Sequence, residues 1–297
     1  MLPILLLAAL AQAQAAPASK PKTPTEIIAA APDSAWRAIP ADDLLVMELA
    51  GGARVVIQLA PAFAPVHVAN IRALAKANYW NGAAIYRVQD NYVVQWGNNE
   101  TEKPLPQGVV ATPPAEYEMD AQGYAIRRFE YPDSYAAAAG HADGWPVAVH
   151  ADGKVSLTHC YSYVGVGRGL SPDTGMGGEL YAVIGHAPRH LDRNIAVVGR
   201  VLSGLEAMSS LPRGTEALGF YKEASQHVPI ASIRLASQLP SDQRPSFQYL
   251  DTTSPAFADY VRARANRHDD FFIRPAGGVD LCNAAVPVRP TPGGQRG

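Results

Sequence analysis

The chain has 297 residues, with 25 Lys and Arg against 27 Asp and Glu and a formal net charge of −2, so its bulk electrostatics give no reason to hold nucleic acid or an anionic membrane surface. Hydrophobic residues make up 47% of it, ample for a sizeable core and incompatible with disorder of the whole chain. The 25 prolines and 25 glycines point to many turns and long loops and against a helical bundle. Met1 to Ala15 reads MLPILLLAALAQAQA, an apolar run from Leu2 to Leu10 followed by small-x-small sites ending at Ala13 and Ala15. That is the pattern of a cleavable signal peptide, although its n-region carries no Lys or Arg. The run is about half of the roughly twenty apolar residues that a bilayer span requires, and no later stretch is long and apolar enough, so no span is expected in the mature chain. In an oxidising compartment Cys160 and Cys282 are able to pair. The alternative is a buried Cys160 acting as a small hydrophobe and a free Cys282 thiol. Metal ligation by the two would need a tight spacing that they lack.

Residues 16–41 are rich in Ala, Pro, Lys and Thr without a hydrophobic period and read as a tether, with the main domain expected over 42–240. Leu44 to Leu49 and Arg54 to Leu59 are β-type runs joined through Ala50, Gly51, Gly52 and Ala53, the pattern of a hairpin. Pro65 suits the first turn of a helix that carries Val68, Ile71, Leu74 and Ala75 on one face and stops near Asn78. Short strands follow around Ala84 to Val88 and Tyr92 to Gln95. From Asn98 to Gly153 the period is lost among Pro, Gly, Asp and Tyr, so about 99–153 reads as a long surface insertion. Strand character returns at Lys154 to Leu157, Leu180 to Ile184, Ile195 to Val201 and Ile230 to Leu235, with a short helix from Gly204 to Leu211. Six to eight short strands with two helices favour an antiparallel barrel over a βαβ architecture. Residues 241–297 read as a C-terminal extension. In it Ser254 at the N-cap and Pro255 at N1 start a helix reaching about Arg267, and the proline-rich Pro275 to Gly297 follows the surface in extended form.

Three short motifs look chemical without their necessary context. Asp173-Thr174-Gly175 matches an aspartic-protease triplet, but that chemistry needs two such carboxylates sharing a proton, and here there is one. Gly165-Val166-Gly167-Arg168-Gly169 lacks the following helix and the Lys-Ser/Thr of a phosphate-binding loop. His186 and His190 are separated by Pro188, which prevents the helix that would place both rings on one face, and a third ligand is missing. No metal is expected.

The order of the remaining pieces carries more information. Ala64-Pro65-Val66-His67-Val68-Ala69-Asn70-Ile71, then Tyr79-Trp80-Asn81-Gly82, Ile85-Tyr86-Arg87-Val88 and Val94-Gln95-Trp96-Gly97 resemble the N-terminal half of cyclophilin-type peptidyl-prolyl isomerases. Gly178-Glu179-Leu180-Tyr181, His190-Leu191-Asp192 and Val198-Gly199-Arg200-Val201 with Gly204-Leu205-Glu206 resemble the C-terminal half. The likeness covers about Asp43 to Asn98 and Lys154 to Leu235. It implies a mainly β fold, a closed eight-stranded antiparallel cyclophilin-like barrel capped by two helices, here with long loop insertions and the C-terminal extension. It also implies a shallow outer groove for proline-containing peptides and catalysis that needs no cofactor.

Carried over residue by residue, the resemblance places Arg87 at the catalytic arginine and Gln95 at the carbonyl-binding glutamine. Tyr92, Val93, Tyr181 and Leu191 fall at the walls of the proline pocket, with Leu180 or Ala182 in the place of Tyr181 if the register shifts by one, and His190 falls at the rim. Thr158 and His159 stand where a small residue and an asparagine help hold the peptide backbone. Further departures are Trp96 for a small residue, Glu179 for glutamine and Ile195 for a pocket histidine. The insertion after Asn98 and a second loop from Tyr161 to Gly178 are both expected to border the groove. With the signal pattern, the resemblance implies an isomerase that assists unfolded or folding exported proteins in the bacterial periplasm. The alternative is a catalytically weak or inactive binding scaffold, which would have no reason to keep a guanidinium at Arg87.

Overall fold

The computed structural model describes residues 21–98 and 103–294; the expected signal peptide lies outside them. Eight strands close into an antiparallel barrel in the order Tyr163–Val166, Leu180–Val183, Val93–Gly97, Ala84–Val88, Val228–Leu235, Leu44–Leu49, Arg54–Leu59 and Val197–Ser203, the last pairing back with the first. The expected mainly β, closed eight-stranded fold is the one found. Along Leu44–Leu49, the side chains of Leu45, Met47 and Leu49 join Ile57, Ile85 and Trp96 in the main core, while Leu44 and Val46 pack on Ile39, Leu239 and Phe247. A strand covered on both faces reads as a continuous apolar run rather than an alternation.

The Pro65–Lys76 helix adds Val68, Ile71 and Leu74 to that core, and the short Leu205–Ser209 helix adds Leu205 and Met208. Burying each such side chain stabilises by about 1.5 to 3 kcal/mol relative to leaving it exposed. Ala64, the N-cap of the longer helix, offers no side-chain hydrogen bond. The open N–H groups of Val66 and His67 instead donate to Glu116 of the insertion at 2.8 and 2.9 Å, and His67 Nδ1 lies 2.7 Å from the same carboxylate. An anion there also meets the positive end of the helix dipole. Burial opposes the Glu116 charge, but these hydrogen bonds outweigh it and hold the carboxyl below its ordinary range.

Three expectations need correction. The described residues of the 99–153 insertion are more than a surface loop: Met119–Asp120, Lys154–Leu157, Trp145–Val149, Ala138–Ala142 and Arg127–Arg128 form, in that order, a second antiparallel sheet. Lys154–Leu157 therefore belongs to this sheet, and the remaining barrel strand is Tyr163–Val166, inside the segment read as a second loop. That strand is short and interrupted by Gly165, which hides its β character; the glycine is required because a Cβ there would lie 2.3 Å from the Tyr181 hydroxyl. Nor are the described residues of the expected tether loose. Thr23 caps a helix over Pro24–Ala30 by accepting from the Glu26 N–H, and Trp36–Ala38 pairs with Phe247–Leu250, which pairs in turn with Val288–Pro290. The two terminal segments thus complete one another's hydrogen bonding in a third sheet. Against it packs the Pro255–Ala265 helix, capped by the Ser254 hydroxyl and buried through Phe257 and Tyr260 around Trp36 and Leu250.

Cys160 and Cys282 form a disulfide across 122 residues of sequence. Closing so long a loop contributes up to ~4 to 5 kcal/mol in the chain-entropy account. The bond ties the C-terminal extension to the segment that leads from the second sheet into the barrel.

Candidate active site

Arg87 and Gln95 lie opposite each other on adjacent strands, and the pairing register shifts between Ile85 and Arg87. The extra residue of this bulge is Tyr86, so two consecutive side chains reach the same partner. Arg87 Nη1 donates to Gln95 Oε1 at 2.9 Å, and Gln95 Nε2 donates to the Tyr86 hydroxyl at 2.7 Å. The Tyr86 O–H in turn donates to Glu179 Oε2 at 2.5 Å. A carboxylate only accepts, so Glu179 turns the tyrosine proton toward itself, leaves its oxygen to accept from Gln95, and fixes the glutamine amide with its oxygen toward Arg87. Burial first, and then the Glu179 charge, push the Tyr86 phenol far above its ordinary range, so the hydroxyl keeps its proton. Glu179 lies across Gly97, where any Cβ would come within 1.9 Å of its carboxylate, and its other oxygen accepts from the Asn98 N–H at 2.8 Å.

The remaining Arg87 contacts also hold it by neutral groups. Nη2 donates to Gln89 Oε1 at 2.5 Å and Nε to the Leu218 carbonyl at 2.7 Å. The guanidinium lies 5.8 Å from the Tyr92 ring centre and 5.4 Å from that of Phe220, where aromatic faces attract a cation. Its half-burial lowers the Arg87 pKa from the ordinary arginine value, with the neighbouring tyrosines acting in the opposite direction. Three of its five N–H groups are used in this way, which leaves one on each terminal nitrogen to point at a ligand.

Arg87, Gln95 and Phe220 line a shallow groove of about 240 Å³ together with Tyr92, Val93, Tyr181, Leu191 and Ile195. Val93, Tyr181 and Val183 form a small apolar cluster beneath it, with Tyr92 and Ile195 at its edge. Exposed His190 stands at the rim, its ring stacked on Tyr92 at 6.3 Å between centres. Leu180 and Ala182 fall in the barrel core, which leaves Tyr181 as the groove residue of the three. Trp96, beside Gln95, also points into the barrel, so its bulk does not reach the groove.

Thr158 and His159 do not line it. Both are sealed from solvent at 0% and 1% exposure; the Thr158 hydroxyl lies 3.3 Å from Cys160 Sγ, and His159 sits behind Tyr181 with Nε2 2.9 Å from its hydroxyl. The disulfide and the second sheet draw this segment inward, away from a bound peptide. Of the two expected borders, the Tyr161 to Gly178 segment supplies Val166, Gly167 and Arg168 to the groove, whereas the described insertion residues supply none. Sequence reasoning missed Leu218 and Phe220. Leu218 acts through its carbonyl at a φ of 60°, which no side-chain pattern records, and Phe220 is brought in by an isolated bridge to Arg87. Among the described residues no cluster of His, Cys, Asp and Glu is arranged to hold a metal ion.

The family model described as Cyclophilin type peptidyl-prolyl cis-trans isomerase/CLD matches residues 44–235, more than half of the chain. This chain belongs to the cyclophilin-type peptidyl-prolyl cis-trans isomerases. A probable peptidyl-prolyl cis-trans isomerase from Brucella suis is 25% identical over 176 residues, covering 59% of this chain and 74% of its own length. One from Brucella melitensis matches to the same extent. The crystal structure of cyclophilin AquaCyp293 from Hirschia baltica superposes with a TM-score of 0.69 at 22% identity, covering 86% of this chain and 93% of that one. It shows the same fold. The cyclophilin is accordingly an isomerase of X-Pro bonds.

Proposed function

We propose that this cyclophilin rotates X-Pro bonds of exported proteins as they fold in the bacterial periplasm, with Arg87 as the catalytic donor and Gln95 as the group that holds the substrate carbonyl. An X-Pro amide resists rotation because resonance must be lost, and uncatalysed exchange takes tens to hundreds of seconds. Bringing that to milliseconds requires about 10⁴ to 10⁵ in rate, or roughly 5.5 to 7 kcal/mol of preferential binding of the twisted amide.

The observation that carries the mechanism is the Arg87 fork, fixed by Gln95, Gln89 and the Leu218 carbonyl with a free N–H on each terminal nitrogen. In the twisted amide the lone pair localises on a pyramidal nitrogen, and a donor already aimed at it stabilises that state more than the planar ground state. Tyr92, Val93, Tyr181 and Leu191 supply the apolar seat for the proline ring. The second Gln95 amide hydrogen is left for the carbonyl of the residue before proline. No nucleophile takes part, and the proton inventory does not change.

The periplasmic setting is supported by the leader-like Met1 to Ala15 and by a disulfide at Cys160 and Cys282, which persists in an oxidising compartment. Intact-mass analysis of chain exported from bacterial cells tests it. Processing predicts a new N-terminus at Gln14 or Ala16; exported material that retains Met1 contradicts the assignment.

A further inference from the structure

Behind the groove wall five polar side chains join into one buried chain. Tyr181 Oη lies 2.9 Å from His159 Nε2, and Asp192 Oδ1 meets both His159 Nδ1 and the His159 backbone N–H at 2.9 Å. The second Asp192 oxygen accepts from Arg189 Nε, and the Arg189 terminal nitrogens fork onto Asp133 at 2.9 and 3.1 Å. Side-chain exposure is 1% for His159, 5% for Asp192, 3% for Arg189 and 2% for Asp133. The proton direction at His159 Nδ1 follows from its partner. Asp192, beside the Arg189 cation, is an acceptor, so His159 Nδ1 donates to it, and His159 Nε2 and the Tyr181 hydroxyl share the hydrogen bond on the other side of the ring.

This chain bears on the groove at two places. Tyr181 is one wall of the pocket, and the turn Arg189–Leu191, pinned through Arg189 and followed directly by Asp192, brings Leu191 to the pocket and His190 to its rim. Space has been kept for the contact, since Gly165 has no Cβ to collide with the Tyr181 hydroxyl. A phenylalanine at 181 would be held by packing alone. A tyrosine that swung away would strand two buried polar atoms.

We infer that Asp133, Arg189, Asp192 and His159 are positioning residues that set the pocket wall from behind, so that the insertion holding Asp133 governs a groove it does not line. The inference rests on the groove assigned above and adds to it the residues that hold its shape.

The test measures isomerisation kinetics and, separately, NMR titration with an X-Pro peptide. It uses the full chain and Tyr181→Phe, His159→Leu, their double variant and Asp133→Asn, well below each unfolding temperature. Tyr181→Phe removes a single oxygen and is expected to raise KM and peptide Kd about fivefold, the worth of one buried hydrogen bond. Its kcat should stay within about twofold, because the wall holds planar and twisted amide alike. His159→Leu should match it, the double variant should be no worse than either single one, and the remote Asp133→Asn should shift KM in the same direction. A purely structural role would lower the unfolding temperature and leave KM and Kd of the folded protein unchanged. That outcome in Tyr181→Phe and His159→Leu, or losses that multiply in the double variant, overturns the inference, and these two variants decide it if Asp133→Asn does not fold. A wild type that binds peptide without isomerising it would contradict the catalytic reading alone, since Kd still reports the wall.

Discussion

Arg87 is held by three neutral acceptors, two glutamine oxygens and a main-chain carbonyl. This arrangement keeps its full charge directed at the groove without a carboxylate to neutralise it, at the cost of desolvating half of a guanidinium. A planar fork can satisfy all three acceptors and still present free N–H groups, whereas a single ammonium with three donors cannot. Arg87→Lys should therefore lose about 10²-fold in kcat/KM, mostly in kcat, because the apolar seat is untouched; a protease-coupled assay on X-Pro peptides reads this directly. At this scale much of the groove was legible in the sequence. Arg87, Gln95, Tyr92, Val93 and Tyr181 are side chains on or next to barrel strands, Leu191 ends the Arg189–Leu191 turn, and together they line one groove. Thr158 and His159 were misplaced because the residues that draw them inward, Cys282, Asp192 and Tyr181, are distant in sequence.

The second sheet shows what local pattern does not encode. Ala138–Ala142 reads AAGHA and Trp145–Val149 reads WPVAV, poor in β-branched residues and broken by a proline that argues against an inner strand. Pro146 is tolerated because the ladder with Lys154–Leu157 ends at the Leu157 and Val147 pair, one residue before it. His141 closes this sheet onto the C-terminal extension, its ring 4.8 Å from that of Phe257 and 5.9 Å from that of Phe129. Burial lowers its pKa from 6.5 to about 4, against a backbone hydrogen bond with Ala284 that acts in the other direction. The folded pKa lies below the unfolded one, so between these values the unfolded chain binds more protons, and stability falls as pH drops from about 6.5 to about 4. The depression corresponds to roughly 3 kcal/mol. Urea unfolding at pH 7 and at pH 4.5 should show a loss of about 2 to 3 kcal/mol from this group, and His141→Phe should remove that part of the pH dependence. An unchanged slope in the variant would assign the acid sensitivity elsewhere.

As a whole the molecule is a barrel braced by two added sheets, one built from an insertion and one from the two ends of the chain. Seven of the eight barrel strands were legible because they are apolar runs of the right length, bounded by turns and set around a helix that begins with proline, whereas Tyr163–Val166, short and interrupted by Gly165, was not. The bracing sheets were not: the terminal one pairs segments far apart in sequence, as Trp36–Ala38 does with Phe247–Leu250, which leaves no local period, and the inserted one, though Ala138–Ala142 and Trp145–Val149 are joined by a two-residue turn, is built from strands of weak β composition. The braces meet the catalytic barrel at the Cys160–Cys282 disulfide, at Glu116 on the helix N-terminus and at Asp133 behind the pocket. On the function proposed above, the barrel's outer groove rotates prolyl bonds through Arg87. NMR exchange spectroscopy on an X-Pro peptide, with the wild type and Arg87→Ala compared at equal peptide occupancy, tests it most directly. The expected result is catalysed cis-trans exchange by the wild type and a loss of about 10² to 10³ in rate with Arg87→Ala, or roughly 3 to 4 kcal/mol, while peptide affinity changes little; exchange at the wild-type rate by a folded Arg87→Ala protein would rule out Arg87 as the donor.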